Sequence, residues 1–329
     1  MIVGSVQSEH PSRAMDGELV IIHPDRSKVA RLPQDTFSSL RDAIDSWSAV
    51  TPQLHEIDRA LRNGTWAHTS EISSLIFKAP LPRSWAFLDG SAFIQHVILV
   101  RKARGAGLPE DLHTVPLMYQ GASDNLLGPT QDIPLRAQTD GMDFESEVAV
   151  ITDAVPMGTK ATDAQKHILL VMLCNDVSLR ELIPRELATG FGFFHGKPPS
   201  AFSPFAATPD ELGETWREGR LHLPVTTTLN GTIFGQPNAG EMHFSFHQLI
   251  EHAAATRPLS AGTIIGSGTV SNKDESVGSS CLAEKRTLEK IASGGITTKF
   301  LKNGDRVTIS VSHQGVAIFG SIDQKVTQV

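Results

Sequence analysis

Two carboxylates, Glu145 and Glu147, stand two residues apart in MDFESEVAVI, and a third acid, Asp176, follows the apolar run of LLVMLCNDVSLREL. Residues i and i+2 of a strand point the same way, so the pair presents two carboxylates to one point in space. Both stretches border apolar, β-branched sequence, which places the acids at the rim of a core. Like charges left unpaired there are costly. A divalent cation would remove that cost. An all-carboxylate set with no adjacent Cys or His favours a hard ion, Mg²⁺, Mn²⁺ or Ca²⁺, over zinc. A solvated edge-strand pair plus a capping aspartate has the same spacing, and spacing alone leaves both readings open.

Other residues with chemical potential are scattered along the chain. His96, in LDGSAFIQHVILVRKARG, comes seven residues after Asp89, two turns and therefore one face if the segment is helical. Imidazoles titrate near neutral pH and suit a general base, although a satisfied core histidine is the simpler account. Tyr119, the one tyrosine, lies among small polar residues in PLMYQGASDN, where a phenol is more useful as a hydrogen-bond donor than as packing. Lys197 sits on a Gly/Pro-rich loop, GFGFFHGKPPSAFSP, and alone reads as a surface lysine. His243 and His247 have zinc-pair spacing only on a helix, and HFSFH alternates like a strand. SAGTIIGSGTVSN has neither a P-loop nor a dinucleotide fingerprint; a tight turn presenting backbone N–H groups and Thr269 fits it better.

The elements that must position these groups follow from periodicity and turn residues. Residues 17–32 read as a hairpin, 36–62 as helix ending at Asn63-Gly64, and KAPLPRSW at 78–85 as a linker. A helix is expected from 86 to about 105. Strands are expected at 143–152, 168–175, 222–235, 241–246, 297–301 and 306–321, with helices at 246–256 and 281–293. Asn230-Gly231 and Asn303-Gly304-Asp305 are turn signals. The pattern is α+β with a mixed or mostly antiparallel sheet, not a doubly wound alternation. The 329 residues suffice for one large and one small domain, and 40% hydrophobic with 20% charged content is that of a globular protein. A net charge of −7 with no Lys/Arg block argues against nucleic acid, and no apolar stretch could span a membrane. Two cysteines and no visible signal peptide point to buried thiols in the cytoplasm.

Together, LDGSAFIQH, PLMYQG, DFESEVAVI, NDVSLRELIP, GFFHGKPPSAFSP, GSGTVSN and GSSCLAEKR, in this order, resemble the fumarylacetoacetate hydrolase family over roughly residues 80–329. Residues 1–76 resemble the small N-terminal domain of bacterial members, leaving 77–329 as the catalytic domain. The resemblance implies a β-rich roll or sandwich, a homodimer, and a metal held by Asp89, Glu145, Glu147 and Asp176. It implies His96 as base, Glu284 as the group orienting it, and Arg180 and Lys197 as cations facing developing negative charge. Ser91, Tyr119 and Thr269 fall on substrate contacts, Arg101 and Arg104 compete for a carboxylate-binding arginine, and Ser200 matches a further hydroxyl one residue out of step. Ile183 and Leu187 stand where polar substrate contacts are expected.

The reaction so implied is hydrolytic carbon–carbon cleavage of a β-diketo acid, fumarylacetoacetate or an acylpyruvate, in aromatic catabolism. A decarboxylase, hydratase or isomerase of 2-oxo acids on the same scaffold is the alternative, and a non-catalytic Ca²⁺-binding module a third reading.

Overall fold

The computed structural model describes residues 1–33, 37–103, 105 and 107–329. The architecture is mixed α+β, as expected, with an eleven-stranded sheet and a five-stranded sheet. Strand Ile168–Asn175 lies inside the large sheet, antiparallel to Ser146–Thr152. The latter pairs with Ile264–Gly266, which runs parallel to Phe87–Gly90.

Every residue of Ile168–Asn175 is buried, and alternation explains how. Val171 and Leu173, with Val148 and Val150, join a core that includes Val307, Ile309 and Ile322 of the smaller sheet. Leu170, Met172 and Cys174, with Ala149 and Ile151, belong to a second core built with Leu54, Ile57 and Leu61 of the helix Trp47–Arg62. A strand covered on both faces reads as a continuous apolar run, which is why ILLVMLC shows no alternation.

The first 76 residues add their strands to this same sheet. Ile2–Val6 pairs with Phe205–Ala207 on one side and with Glu18–Ile22 on the other, and Glu18–Ile22 forms the expected hairpin with Lys28–Arg31. The helical pattern of this region resolves into Leu40–Asp45, begun by a capping box between Ser39 and Asp42, and Trp47–Arg62, ended at Asn63.

Three expectations are corrected. The stretch from 86 is a strand, Phe87–Gly90, before it becomes the helix Ile94–Ala103, so Asp89 and His96 do not share a helix face. Pairing to Ile264–Gly266 on one side and Met118–Gly121 on the other takes up FLDG before any helix can start. No strand forms at 241–246, because Ser245 caps the helix Phe246–Ala253 through a reciprocal bond with Gln248. None forms at 297–301 either: the N–H groups of Thr297 and Thr298 donate to Glu289 Oε2 instead of to a neighbouring strand. Among the described residues no helix is long and apolar enough to cross a membrane, and both cysteines are free and buried.

Candidate active site

Strand phase decides which acids meet. Phe87, Ala149 and Cys174 lie on one face of the large sheet, and the residues two steps along in the same phase are Asp89, Glu147 and Asp176. Cys174 stands directly opposite Glu147 in the ladder. The three buried acids each offer an oxygen within 4.8 Å of the others. Gly266 lies between two of them, paired with Asp89 on one side and Ala149 on the other. A Cβ at Gly266 would run into Asp89 Oδ1 and come within 3.2 Å of Glu147 Oε2. Gly266→Ala is therefore expected to displace Asp89 and lower kcat/KM by about 10²-fold, the scale of an ångström misplacement. Steady-state kinetics check this, and an unchanged kcat/KM would refute it.

The fourth expected acid, Glu145, lies just outside the strand and is held by cations. Arg180 donates to Glu145 Oε1 at 2.5 Å through Nη2 and to Asp143 Oδ2 at 2.8 Å through Nε. Lys197 Nζ donates to Glu145 Oε2 at 2.7 Å and to Asp176 Oδ2 at 2.5 Å. Burial opposes ionisation of Glu145, but Arg180 and Lys197 outweigh it and hold its carboxyl well below the usual range. The three converging acids behave in the opposite sense. Burial, then Asp176, pushes the Asp89 carboxyl up to about 8. Burial with Asp89 pushes Glu147 well above the carboxylate range, and burial raises Asp176 despite Lys197.

Glu147 decides whether this set fits a cation. Both of its carboxylate oxygens are buried and accept no hydrogen bond. Asp89 Oδ1 accepts from the N–H of Gly268 at 3.0 Å, and Asp176 accepts from Ser200 Oγ at 2.6 Å and from the Tyr119 phenol at 2.8 Å. Asp89 and Asp176 are thus supported from outside while Glu147 has only other acids before it. An all-oxygen set with an orphaned carboxylate fits a hard divalent ion. His243 and His247 do not form a second metal site. His243 Nε2 lies 3.0 Å from the His113 carbonyl oxygen, and His243 lies before the helix Phe246–Ala253 that carries His247, so the two do not have i,i+4 helical spacing.

His96 and Glu284 come together from 188 residues apart. His96 Nδ1 lies 3.0 Å from Glu284 Oε2. With Nδ1–H donating to that carboxylate, Nε2 keeps its lone pair, and it lies 3.9 Å from Glu145 Oε1. Glu284 is held in the first turn of the helix Leu282–Ser293, where its N–H donates to Cys281 Sγ at 3.3 Å. Asp143, which the sequence reading did not single out, accepts the first N–H groups of that helix, from Leu282 at 2.7 Å and Ala283 at 2.9 Å. It therefore ties Arg180 to the helix that carries Glu284. Its only signal in the sequence was a position two residues before Glu145.

A cleft of about 400 Å³ opens over these groups. Asp89, His96, Glu145, Arg180 and Lys197 line it, with Ser91, Tyr119 and Thr269 as hydroxyl groups and Arg101 as a further cation. Arg101 also donates to the Gly107 carbonyl at 2.8 Å. Arg104 lies outside the described residues. Val97, Val100, Leu117, Ile183, Leu187 and Phe193 form the apolar part of the wall.

Residues 86–327 match the family described as fumarylacetoacetate (FAA) hydrolase C-terminal, and residues 4–83 match fumarylacetoacetase N-terminal domain 2. The oxaloacetate tautomerase YisK of Bacillus subtilis (strain 168) is 23% identical over 274 residues, 82% of this chain and 81% of that protein. The crystal structure of maleylpyruvate hydrolase from Sphingobium sp. SYK-6, in complex with manganese(II) ion and pyruvate, is similar with a TM-score of 0.66 and 14% identity. That match covers 100% of this chain and 99% of the other. The 5-carboxymethyl-2-hydroxymuconate delta-isomerase of Mycobacterium smegmatis matches with a TM-score of 0.62 and 18% identity, over 100% and 99% of the two chains. Such identities show a shared fold. The match over residues 86–327 shows more: this chain belongs to the fumarylacetoacetate hydrolase family, a family of enzymes.

Proposed function

We propose that the protein is a metal-dependent hydrolase that cleaves a carbon–carbon bond in a β-diketo acid, fumarylacetoacetate or a related acylpyruvate. The observation that carries this reading is His96 on the cleft wall, its Nδ1 held by Glu284 behind it, with Nε2 left to take a proton. Asp89, Glu147 and Asp176, with Glu145 beside them, would hold Mg²⁺, Mn²⁺ or Ca²⁺. When bound, such an ion supplies Lewis acidity at the substrate's keto oxygens.

His96 takes a proton from water as the oxygen attacks the carbonyl carbon, and Glu284 stabilises the imidazolium that results. Lys197 uses two of its three N–H bonds on Glu145 and Asp176, which leaves one for the oxyanion. As the tetrahedral centre collapses, the carbon–carbon bond breaks and its electron pair leaves as an enolate. The imidazolium proton then returns to that carbon. Arg180 gives two of its five N–H bonds to Asp143 and Glu145 and so holds Glu145 against the site, while the rest remain for developing negative charge in the cleft it lines. Arg101 and Tyr119 are the groups proposed to meet a substrate carboxylate.

A tautomerase reading is favoured by the likeness to YisK, since proton transfer between carbon and oxygen needs the same base but no attacking water. Assaying fumarylacetoacetate, fumarylpyruvate and short acylpyruvates with Mg²⁺, and again with EDTA, separates the two. The expected result is cleavage into two acids that EDTA abolishes. Enol–keto conversion or CO₂ release from oxaloacetate, with no cleavage of any diketo acid, would overturn the hydrolase reading.

Ile183 and Leu187 present no hydrogen-bonding group to the acyl tail. A wall of that kind discriminates weakly, so kcat/KM is expected to vary by no more than about 10²-fold across tails of different polarity. A larger preference for one tail would show a polar contact supplied from elsewhere. We also propose that the chain is a homodimer, on the strength of the family; light scattering that gives a monomer near 35.5 kDa at micromolar concentration discards this.

A further inference from the structure

We infer that Glu186 is a positioning residue, whose carboxylate latches loop 190–196 to the helix Ile183–Thr189 and thereby sets Lys197 and Phe193 in the cleft. The inference rests on reading Lys197 as the cation that meets the substrate oxygen. Glu186 Oε2 accepts the N–H groups of Phe194 and Gly196, each at 3.0 Å, and Oε1 accepts that of His195 at 2.6 Å. Three N–H groups of one loop therefore converge on one carboxylate, and bonds to an ionised acceptor are the strong kind. Burial opposes ionisation of Glu186, but these backbone donors outweigh it and hold its carboxyl below the usual glutamate range.

The loop has little else to hold its tip. Gly190 and Gly192 adopt φ of +76° and +94°, and between and beyond them Phe191 and Phe194 are 97% and 79% exposed. Only Phe193 turns inward, edge-on to the Tyr119 ring at 5.1 Å between centroids. The grip extends to the residue before Lys197. The Gly196 N–H goes to Glu186, and its carbonyl accepts from the Leu179 N–H at 2.9 Å. A Cβ on Gly196 would come within 2.7 Å of Ile183 Cγ1 and 2.9 Å of Glu186 Oε2, so the loop packs directly on the helix. Lys197 must place its ammonium between Glu145 and Asp176, and that reach depends on where Gly196 is held.

The test is a double-mutant cycle on the Mg²⁺-loaded full chain, with Glu186→Ala, Lys197→Ala and both together, alongside amide exchange of the loop. Glu186→Ala is expected to lower kcat by about 10–10²-fold with a smaller change in KM, as for an ångström-scale misplacement. In the Lys197→Ala background the same change should cost less than about threefold, because coupled residues are not additive. The N–H groups of Phe194, His195 and Gly196 should be protected in the wild type and lose protection in Glu186→Ala, with little change in Tm. Additive losses across the cycle, full activity of Glu186→Ala, or unchanged exchange at those amides would each overturn the inference. Exchange does not depend on turnover. A wild type that cleaves no diketo acid but loses loop protection on Glu186→Ala therefore condemns the hydrolase reading and leaves the latch standing.

Discussion

Replacing His96 with alanine is expected to lower kcat by roughly 10²–10⁴-fold, the range for loss of a general acid–base group, with substrate affinity close to wild type. The imidazole is held by a single side-chain bond, Nδ1 to Glu284 Oε2 at 3.0 Å, and the affinity of the cleft comes from other groups. Glu284→Gln should reduce kcat in the same direction by a smaller factor, since the base survives but its orientation and the stabilisation of its charged form are weakened. Steady-state kinetics on whichever diketo acid the wild type cleaves best measures both. Full turnover by His96→Ala would remove water activation from the mechanism and favour the tautomerase reading.

Glu147→Gln is expected to abolish cation binding and activity and to stabilise the metal-free protein. Holding Glu147 protonated, with its carboxyl pushed well above the ordinary range, costs the folded chain stability at neutral pH, and no hydrogen-bond donor lessens that cost. The sign of the pH dependence follows from the same groups. Burial and neighbouring acids push the Asp89 carboxyl up to about 8 from an ordinary value of 3.8, and Glu147 and Asp176 are raised in the same direction. Between those limits the folded chain binds more protons than the unfolded one, so stability falls as pH rises. Glu145, held low, contributes the opposite slope only below its ordinary value of 4.5. EDTA-treated wild type should therefore lose Tm steadily from about pH 5 to pH 8, Mg²⁺ should restore it, and Glu147→Gln should show a shallower fall. A flat Tm for the metal-free wild type, or Mg²⁺ affinity retained by Glu147→Gln, would contradict this account.

Local signals in the sequence were read correctly where they rest on near neighbours. The continuous apolar run before Asp176 is a strand buried on both faces, the helix expected from 246 forms as Phe246–Ala253, and Asn230-Gly231 closes the hairpin of Thr226–Leu229 and Thr232–Gly235. The misreadings have the same origin. HFSFH looked like a strand because its apolar residues alternate, but its central residue, Ser245, caps the helix that follows and had more influence. Residues 86 to 105 looked helical throughout because FLDG is short and its two partner strands lie far away in the chain.

Residue identity by itself determined which groups are available: four acids of one chemical kind, a histidine seven residues after the first, a late glutamate, and glycines in GSGTVSN. Motif order then determined the family. Only the tertiary structure decided how those groups are used. Three acids converge because three strands end in the same phase around Gly266, whereas Glu145 turns toward Arg180 and Lys197, 35 and 52 residues away. Asp143 matters only because the helix Leu282–Ser293 begins beside it. The physical reason is that hydrogen bonds and charge pairing are selected by distance in space, and periodicity in a sequence reports only the few residues within a turn or a pleat.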